Sequence, residues 1–165
     1  MSSLVVFRPA TPADADAVAK IWYHGWRDGH LGNVPDSLVR VRTRESFWER
    51  AANRVGDTTV AVVNGEVAGF VMVVDEEVEQ VYVSSDHRGS GVAGALLAEA
   101  ERLVRDGGHS RAWLAVAPGN ARARRFYERC GWVDEGLFDN RAFGPEGPIS
   151  VPCHRYVKPI PHSED

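Results

Sequence analysis

Residues 81–94 read VYVSSDHRGSGVAG, and this stretch decides how the rest of the chain is interpreted. Its first three residues end an apolar strand, and an amphipathic helix pattern begins directly after its glycines. At such a junction Gly89, Gly91 and Gly94 leave several backbone N–H groups unpaired at the positive end of the helix. We therefore expect this loop to bind an anion, and a phosphate group suits it best.

Three other interpretations of the glycine loop differ in what they require of its neighbours. The dinucleotide pattern G-x-G-x-x-G needs glycines directly after the strand and a carboxylate about 20 residues on. Here residues 84–88 intervene and the next strand ends in Ala115-Val116-Ala117, which disfavours that pattern. A nucleotide-triphosphate loop is excluded because no Lys-Ser or Lys-Thr pair follows. The third interpretation, in which the glycines only form a tight turn, stays open.

Composition limits the class of protein. With 165 residues, 44% of them hydrophobic and 25% charged, the chain fits one soluble globular domain, which we expect over residues 1–158 with a flexible tail over residues 159–165. The net charge of -4 disfavours nucleic acid as a partner and is compatible with a cationic ligand. The sequence has no apolar run of about 18 residues, so it predicts no membrane-spanning helix. Two cysteines without metal-ligand spacing, and no signal pattern, predict a cytoplasmic protein without a metal.

Periodicity and turn residues predict an alternation of strands and helices. A first helix begins at Thr11 and Pro12 and is expected to fail between Gly25 and Gly29. Asn64-Gly65 is a strong hairpin signal between two strands. The predicted strands are 4–8, 58–63, 67–74, 78–83, 112–117, 132–138 and 151–157, and the further helical stretches are 36–54, with a break, 89–107 and 121–130.

A second motif follows the glycine loop at residues 120–132, which read NARARRFYERCGW. Together the two segments resemble the GNAT superfamily of acetyl-CoA-dependent N-acetyltransferases. Arg88 to Ala93 match its loop of the form Gln/Arg-x-x-Gly-x-Gly/Ala, and the second segment matches Asn-x-x-Ala-x-x-Phe-Tyr-x-x-x-Gly-Phe, with Trp132 in place of the commoner Phe. The resemblance spans roughly residues 4–158 and is loose over residues 26–54.

The resemblance implies an α/β (α+β) fold. Its central sheet is mixed, mainly antiparallel, of about seven strands, and flanked by helices. Strands 4 and 5 splay apart in a V, and acetyl-CoA, used as a co-substrate, binds in that opening. The implied reaction is acetyl transfer to a primary amine by direct attack in a ternary complex.

The resemblance also implies which residues bind the cofactor. Backbone N–H groups of the glycine loop would hold the pyrophosphate, with Arg88 adding charge or shaping the loop. The strand Val81, Tyr82 and Val83 would pair with the pantetheine arm, and an amide there would face the thioester oxygen. Asn120 suits a helix N-cap, a partner of the arm, or both. The loop residues concerned are Gly89, Ser90, Gly91, Val92, Ala93 and Gly94.

Two residues are candidates for proton transfer. Tyr127 is expected to act as general acid toward the CoA thiolate, with a half-buried helix tyrosine beside Phe126 as the structural alternative. Glu79 is the candidate base for the amine. It could instead be a solvent-facing carboxylate, and in many family members ordered water relays the proton.

The amine acceptor is the least determined part. Trp26 and His30 are the candidate acceptor residues, because aromatic rings near the first helix could cage a cation. The acceptor is either a small-molecule amine or a peptide amine, and the sequence does not decide between them. We expect no nucleic acid partner and no membrane partner. A homodimer is an open alternative to a monomer. The alternative to an enzyme is a catalytically silent acyl-CoA-binding sensor or interaction module on the same fold.

Overall fold

A computed structural model describes residues 4–161 as a sheet with helices on both faces. The strands are β1 (Val5–Pro9), β2 (Thr58–Val63), β3 (Glu66–Val74), β4 (Glu77–Val83), β5 (Arg111–Val116), β6 (Val133–Ala142) and β7 (Ile149–Pro159). The helices are α1 (Ala15–His30), α2 (Asp36–Val41), α3 (Arg44–Asn53), α4 (Val92–Asp106) and α5 (Ala121–Arg129). None of these helices is both long and apolar enough to span a bilayer.

The sheet has seven strands in the order β1-β2-β3-β4-β5-β7-β6. Its pairs are antiparallel except β4 with β5, which are parallel and meet only at Glu77 and Trp113 in the part of the chain described. A further bond there runs from the Trp113 N–H to the Glu76 carbonyl, at 3.0 Å. Beyond this point the two strands part. The structure therefore confirms the predicted mixed sheet and its splay between strands 4 and 5.

Local sequence explains the hairpin between β2 and β3. Asn64 and Gly65 both have positive φ, 52° and 77°, which is the conformation that a two-residue type I′ turn requires. The strands on either side pair antiparallel from Thr58 with Met72 to Val63 with Glu66. The predicted hairpin is confirmed.

Each face of the sheet has its own core. On one face α4 packs through residues such as Leu96 and Val104, which are fully buried. On the other face α1 and α3 pack together, and the Trp22 ring lies 5.7 Å from that of Phe47 and 5.8 Å from that of Phe70, between ring centroids. The two cores place α4 and the pair α1–α3 on opposite sides of the sheet.

The first helix is longer than predicted. It continues through Gly25 and Gly29 to His30, although two glycines cost a helix interior about 1 kcal/mol each. These glycines lie one turn apart and face two side chains at close range. A Cβ at Gly25 would collide with the Tyr82 ring, and one at Gly29 would lie 2.7 Å from Asn120 Nδ2. The two glycines that predicted a helix end thus allow α1 to pack closely against Tyr82 and Asn120.

The predicted break in the helical stretch 36–54 is confirmed, because the stretch forms two helices. Thr43 is the N-cap of the second, and its hydroxyl accepts a hydrogen bond from the Ser46 N–H at 3.2 Å. One other boundary differs from the prediction. Strand β7 extends through Pro159 because it pairs along β5, and Ile160 after it is buried. The predicted tail, residues 159–165, therefore begins inside the sheet, and its residues 162–165 lie outside the described part of the chain.

Candidate active site

A cleft of about 1110 Å³ opens where β4 and β5 part. It brings together most of the residues that the sequence predicts for the site. Ser90 and Val92 do not line it: the Ser90 hydroxyl donates to the His87 carbonyl, and Val92 is buried in the core under α4. The predicted residues in the cleft are Trp26, His30, Glu79, Val81, Tyr82, Val83, Arg88, Gly89, Gly91, Ala93, Gly94, Asn120 and Tyr127.

The glycine loop is open toward the cleft. Gly89 and Gly91 have φ of +79° and +87°, and a Cβ at either of them or at Gly94 would meet no atom within 4 Å. Gly91 is the N-cap of α4 and offers no side chain to the first turn. The N–H groups there are left for an external acceptor. An anionic group such as a pyrophosphate therefore fits this helix end.

Arg88 ties the glycine loop to α1. Its Nη2 donates to Asp28 Oδ2 at 2.9 Å, and its side chain is partly exposed. The ion pair fixes where the loop stands relative to the first helix. Arg88 also lines the cleft, next to the glycines of the loop.

Strand β4 contains a bulge at Glu79. Met72 pairs with Gln80 and Val73 pairs with Val78, so Glu79 has no partner in β3. Bulges turn a side chain away from regular alternation and are frequent next to active sites. Here the bulge aims Glu79 toward α3, where Arg54 Nη2 donates to Glu79 Oε2 at 2.6 Å. The predicted base is therefore half of an ion pair in the wall of the cleft.

Glu77 also lines the cleft, and the sequence analysis missed it. Burial, together with the neighbouring charge of Glu79, raises its pKa to about 7. Glu77 lies where β4 and β5 make their parallel contact, at the point from which the strands part. In the sequence it belongs to the acidic turn 75–77, and no local pattern distinguishes it from a solvated carboxylate.

Tyr127 projects from α5 into the cleft. Its ring packs against those of Phe126, Trp132 and Tyr156, with centroids 5.4, 6.3 and 6.2 Å away. Burial raises the pKa of Tyr127 to about 12, so the phenol is protonated throughout the neutral range. Part of the Tyr127 side chain thus packs against the core while another part lines the cleft.

Asn120 begins α5 and touches α1. Its Oδ1 accepts a hydrogen bond from the Ala123 N–H at 3.3 Å, as an N-cap does. Arg124, one turn later, anchors the helix by donating to the Tyr156 hydroxyl at 3.1 Å and to Asp134 at 3.2 Å. These bonds fix α5 against the strands next to the cleft, and with it Tyr127.

Trp26 and His30 form a packed pair. Their rings are stacked, 5.0 Å apart with an angle of 4° between the planes, and His30 Nδ1 donates to the Trp26 carbonyl at 3.0 Å. Burial lowers the pKa of His30 to about 4, so the imidazole is uncharged at neutral pH. Both residues line the cleft, with Trp26 almost fully buried. In residues 4–161 no three His, Cys, Asp or Glu side chains group as a metal site.

Two arginines also line the cleft, although the sequence did not predict them as site residues. Arg42, directly after α2, is only 8% exposed. Arg50, on α3, lies over the Trp22 ring with its guanidinium carbon 4.2 Å from the centroid. Burial lowers the pKa of Arg50 to about 9 and also lowers that of Arg42. They lie in the stretch 26–54, where the family resemblance is loose and no motif marks them.

Comparisons with known proteins agree with this geometry. A family model described as acetyltransferase (GNAT) family matches residues 19–132. An uncharacterised N-acetyltransferase of Mycobacterium bovis is 32% identical over 78 residues, which cover 44% of this chain and 50% of that protein. Streptothricin acetyltransferase of Streptomyces lavendulae is 32% identical over 109 residues, 58% of each chain. This chain thus spans about half the length of the curated relatives it matches.

The fold has a close counterpart among solved structures. PaiA N-acetyltransferase of Thermoplasma acidophilum, solved in complex with coenzyme A, superimposes with a TM-score of 0.69. The superposition covers 94% of this chain and 99% of that one at 16% identity, so the likeness is one of fold.

Proposed function

This chain belongs to the GNAT family of acetyltransferases, and we propose that it moves an acetyl group from acetyl-CoA to a primary amine by direct attack in a ternary complex. One observation carries the proposal: a single cleft holds the open N-terminus of α4, the parted edge of β4, and Tyr127. The acetyltransferase name of the Streptomyces lavendulae relative and the coenzyme A in the Thermoplasma acidophilum structure support this substrate class.

The residues present fit acetyl-CoA, which supplies the activated thioester. Backbone N–H groups of residues 89–94 would bind its pyrophosphate, and Arg88 would add positive charge at the mouth of the cleft. The edge of β4 at Val81–Val83, which β5 leaves unpaired, would bind the pantetheine arm as an added strand. Asn120 would bind the same arm from α5.

The acetyl group must be polarised and held still for attack. A peptide N–H of β4 close to the bulge would donate to the thioester oxygen and stabilise the negative charge that develops there. The amine would enter from the side of α1 and α3, opposite to α4. Holding both partners in one cleft removes most of the entropic cost of their encounter.

Tyr127 is the proposed general acid. Its phenol keeps its proton at neutral pH and can donate it to the leaving sulfur. The dry surroundings that raise the pKa of Tyr127 would also raise the pKa of a thiol bound next to it. The difference between the two pKa values would therefore stay small. The cleft would in this way return CoA as a neutral thiol.

The amine must lose a proton before it attacks, because an alkylammonium has a pKa near 10.4. Glu79 is the candidate base from the sequence, and its carboxylate forms an ion pair with Arg54. Glu77 is a second candidate, because a carboxyl group with a pKa of about 7 can accept a proton and release it again at neutral pH. A relay through ordered water is the third route.

Release of CoA thiol across a panel of primary amines tests the proposal. We expect release that depends on both acetyl-CoA and an amine, with no acetylated protein when the amine is left out. If acetyl-CoA binds and no amine raises thiol release above background, the chain is instead a silent acyl-CoA-binding sensor.

A further inference from the structure

The cleft contains two arginines for which the proposed acetyl transfer has no use. Arg42 is more than nine-tenths buried, and Arg50, on α3, is close enough for the two positive charges to repel each other. Both side chains line the cleft, on the side of the sheet that α1 and α3 cover. We refer to Arg42 and Arg50 as the arginine pair.

Neither guanidinium has an ion-pair partner within residues 4–161. Arg54, a neighbour on the same side, pairs with Asp57 at 3.2 Å and Glu79 at 2.6 Å. In the part of the chain that the structure describes, no carboxylate forms an ion pair with Arg42 or Arg50, and Nη1 of Arg50 is buried without a hydrogen-bond partner. Burying a charge without pairing it is unfavourable, and placing two like charges together adds to the cost.

The arginine pair is held as a binding site would be. The Arg50 guanidinium carbon lies 4.2 Å from the centroid of the Trp22 ring and 5.6 Å from that of the Phe47 ring. These two contacts position the guanidinium without a ligand. A guanidinium presents a planar fork of donors that matches a carboxylate in two parallel hydrogen bonds. A donor already buried and immobilised loses little freedom when an anion binds.

The phosphates of acetyl-CoA are a poor match for this pair. Their proposed site is the N-terminus of α4, on the opposite face of the sheet from α2 and α3. The arginine pair instead shares its part of the cleft with Tyr82 and with Glu79, whose negative charge acts on the Arg50 guanidinium. This is the side from which the amine would enter.

We propose that the amine acceptor carries a carboxylate, which Arg42 and Arg50 bind while the amine lies at β4. The acceptor is then a small molecule of the amino acid type, and not the cation that the net charge and the aromatic residues of α1 indicated. This inference rests on the proposed N-acetyltransferase function. It makes the arginine pair a determinant of acceptor specificity.

The test compares free acids with their amides. Each of the twenty protein amino acids is offered as free acid and as C-terminal amide, and kcat/KM is measured by thiol release. We expect at least one free acid to exceed its amide by about tenfold or more, because one charge-assisted pair is worth that much. Arg42→Met and Arg50→Met should bring the ratio near one while the KM for acetyl-CoA stays unchanged.

Two controls separate binding from folding. Arg44→Met alters an exposed arginine of the same helix, one that lies over Trp48 at 4.1 Å, and should keep the preference for acids. Arg42→Met should also leave Tm unchanged or raise it, because an unpaired buried charge is removed. A structural arginine would lower Tm when replaced.

Calorimetry on the protein saturated with CoA gives a second reading that needs no turnover. If CoA binds and no amine is acetylated, the proposed function fails, and tighter binding of a free acid than of its amide still supports the carboxylate site. If amines are acetylated and no acid is preferred over its amide, acetyl transfer stands and the carboxylate site is wrong. An acid preference that survives in both methionine variants also overturns it.

Discussion

The wall of the cleft at α4 offers backbone groups to a ligand, whereas the opposite wall offers side chains. We call these the glycine wall, residues 88–94, and the arginine wall, which holds Arg42, Arg50, Trp26 and His30. The glycine wall is exposed, and a Cβ at Gly89 or Gly91 would meet open space. On the arginine wall Arg42 and Trp26 are buried, and within residues 4–161 no carboxylate forms an ion pair with Arg42 or Arg50.

The difference suits the two ligands that the proposed function assigns to the walls. A pyrophosphate needs several N–H donors and room for a bulky anion, which a glycine-rich helix end provides without any particular side chain. A small acceptor needs a few fixed polar groups in an otherwise dry pocket. Substitutions should therefore affect cofactor affinity on the glycine wall and acceptor selectivity on the arginine wall.

The strongest expected effect is that of Gly91→Glu on the glycine wall. The new side chain would place a negative charge at the site of the pyrophosphate and would strain a residue with φ of +87°. We expect the affinity for acetyl-CoA, measured by calorimetry, to fall by about 100-fold or more. The matched control is Gly108→Glu, at φ +90° beyond the other end of α4. Equal losses in the two variants would contradict a phosphate site at the loop.

Tyr127→Phe should have the next largest effect. Removing the proposed acid should lower kcat by about 100-fold and leave cofactor affinity nearly unchanged. Tyr23→Phe serves as control, because that ring packs on Phe47 and lies outside the cleft. An unaltered rate for Tyr127→Phe at neutral pH would leave this tyrosine with a packing role alone.

A smaller effect should distinguish the two carboxylates between the walls. Glu77 accepts a proton only when ionised, so with its raised pKa kcat should rise as the pH increases through about 7. Glu77→Gln should remove this rise and lower the rate at pH 8 by about tenfold, whereas Glu79→Gln should keep the rise. The pH profile of kcat is the measurement. A rise that survives in Glu77→Gln would assign the proton to Glu79 or to water.

The smallest effects concern the helix caps. Asn120→Ala and Thr43→Ala each remove an N-cap and should lower the free energy of unfolding by about 1 kcal/mol. Only Asn120→Ala should also weaken acetyl-CoA binding, since Thr43 lies outside the cleft. Denaturant unfolding and calorimetry give the two readings. Equal cofactor affinity in both variants would leave Asn120 as a cap without contact to the cofactor.

The sequence predicts the glycine wall better than the arginine wall for a physical reason. Glycines before a helix and Asn64-Gly65 in a hairpin act through local backbone conformation, which short stretches of chain determine. The burial of Arg42 without a counterion depends on α2, α3 and the sheet together, and no spacing in the sequence encodes it. Gly25 shows the same limit. It lies inside α1 and not at its end, because a side chain there would collide with the Tyr82 ring, which is distant in sequence.

The bulge at Glu79 and the exposure of Glu77 to the cleft are likewise long-range properties. A strand with regular alternation would direct residues 77 and 79 to the same face and would not distinguish their surroundings. Only the register of β4 against β3 shows that Glu79 is the extra residue, and only the contact with β5 places Glu77 at the point where the strands part.

The most direct test of the account follows the acetyl group itself. Acetyl-CoA labelled in the acetyl carbonyl is incubated with the protein and an amine, and free thiol and labelled product are counted by mass spectrometry. Direct transfer predicts one labelled N-acetyl product for each thiol released, and an unlabelled protein when the amine is omitted. Label on the protein itself, or thiol release without an N-acetyl product, would contradict direct transfer from acetyl-CoA to an amine.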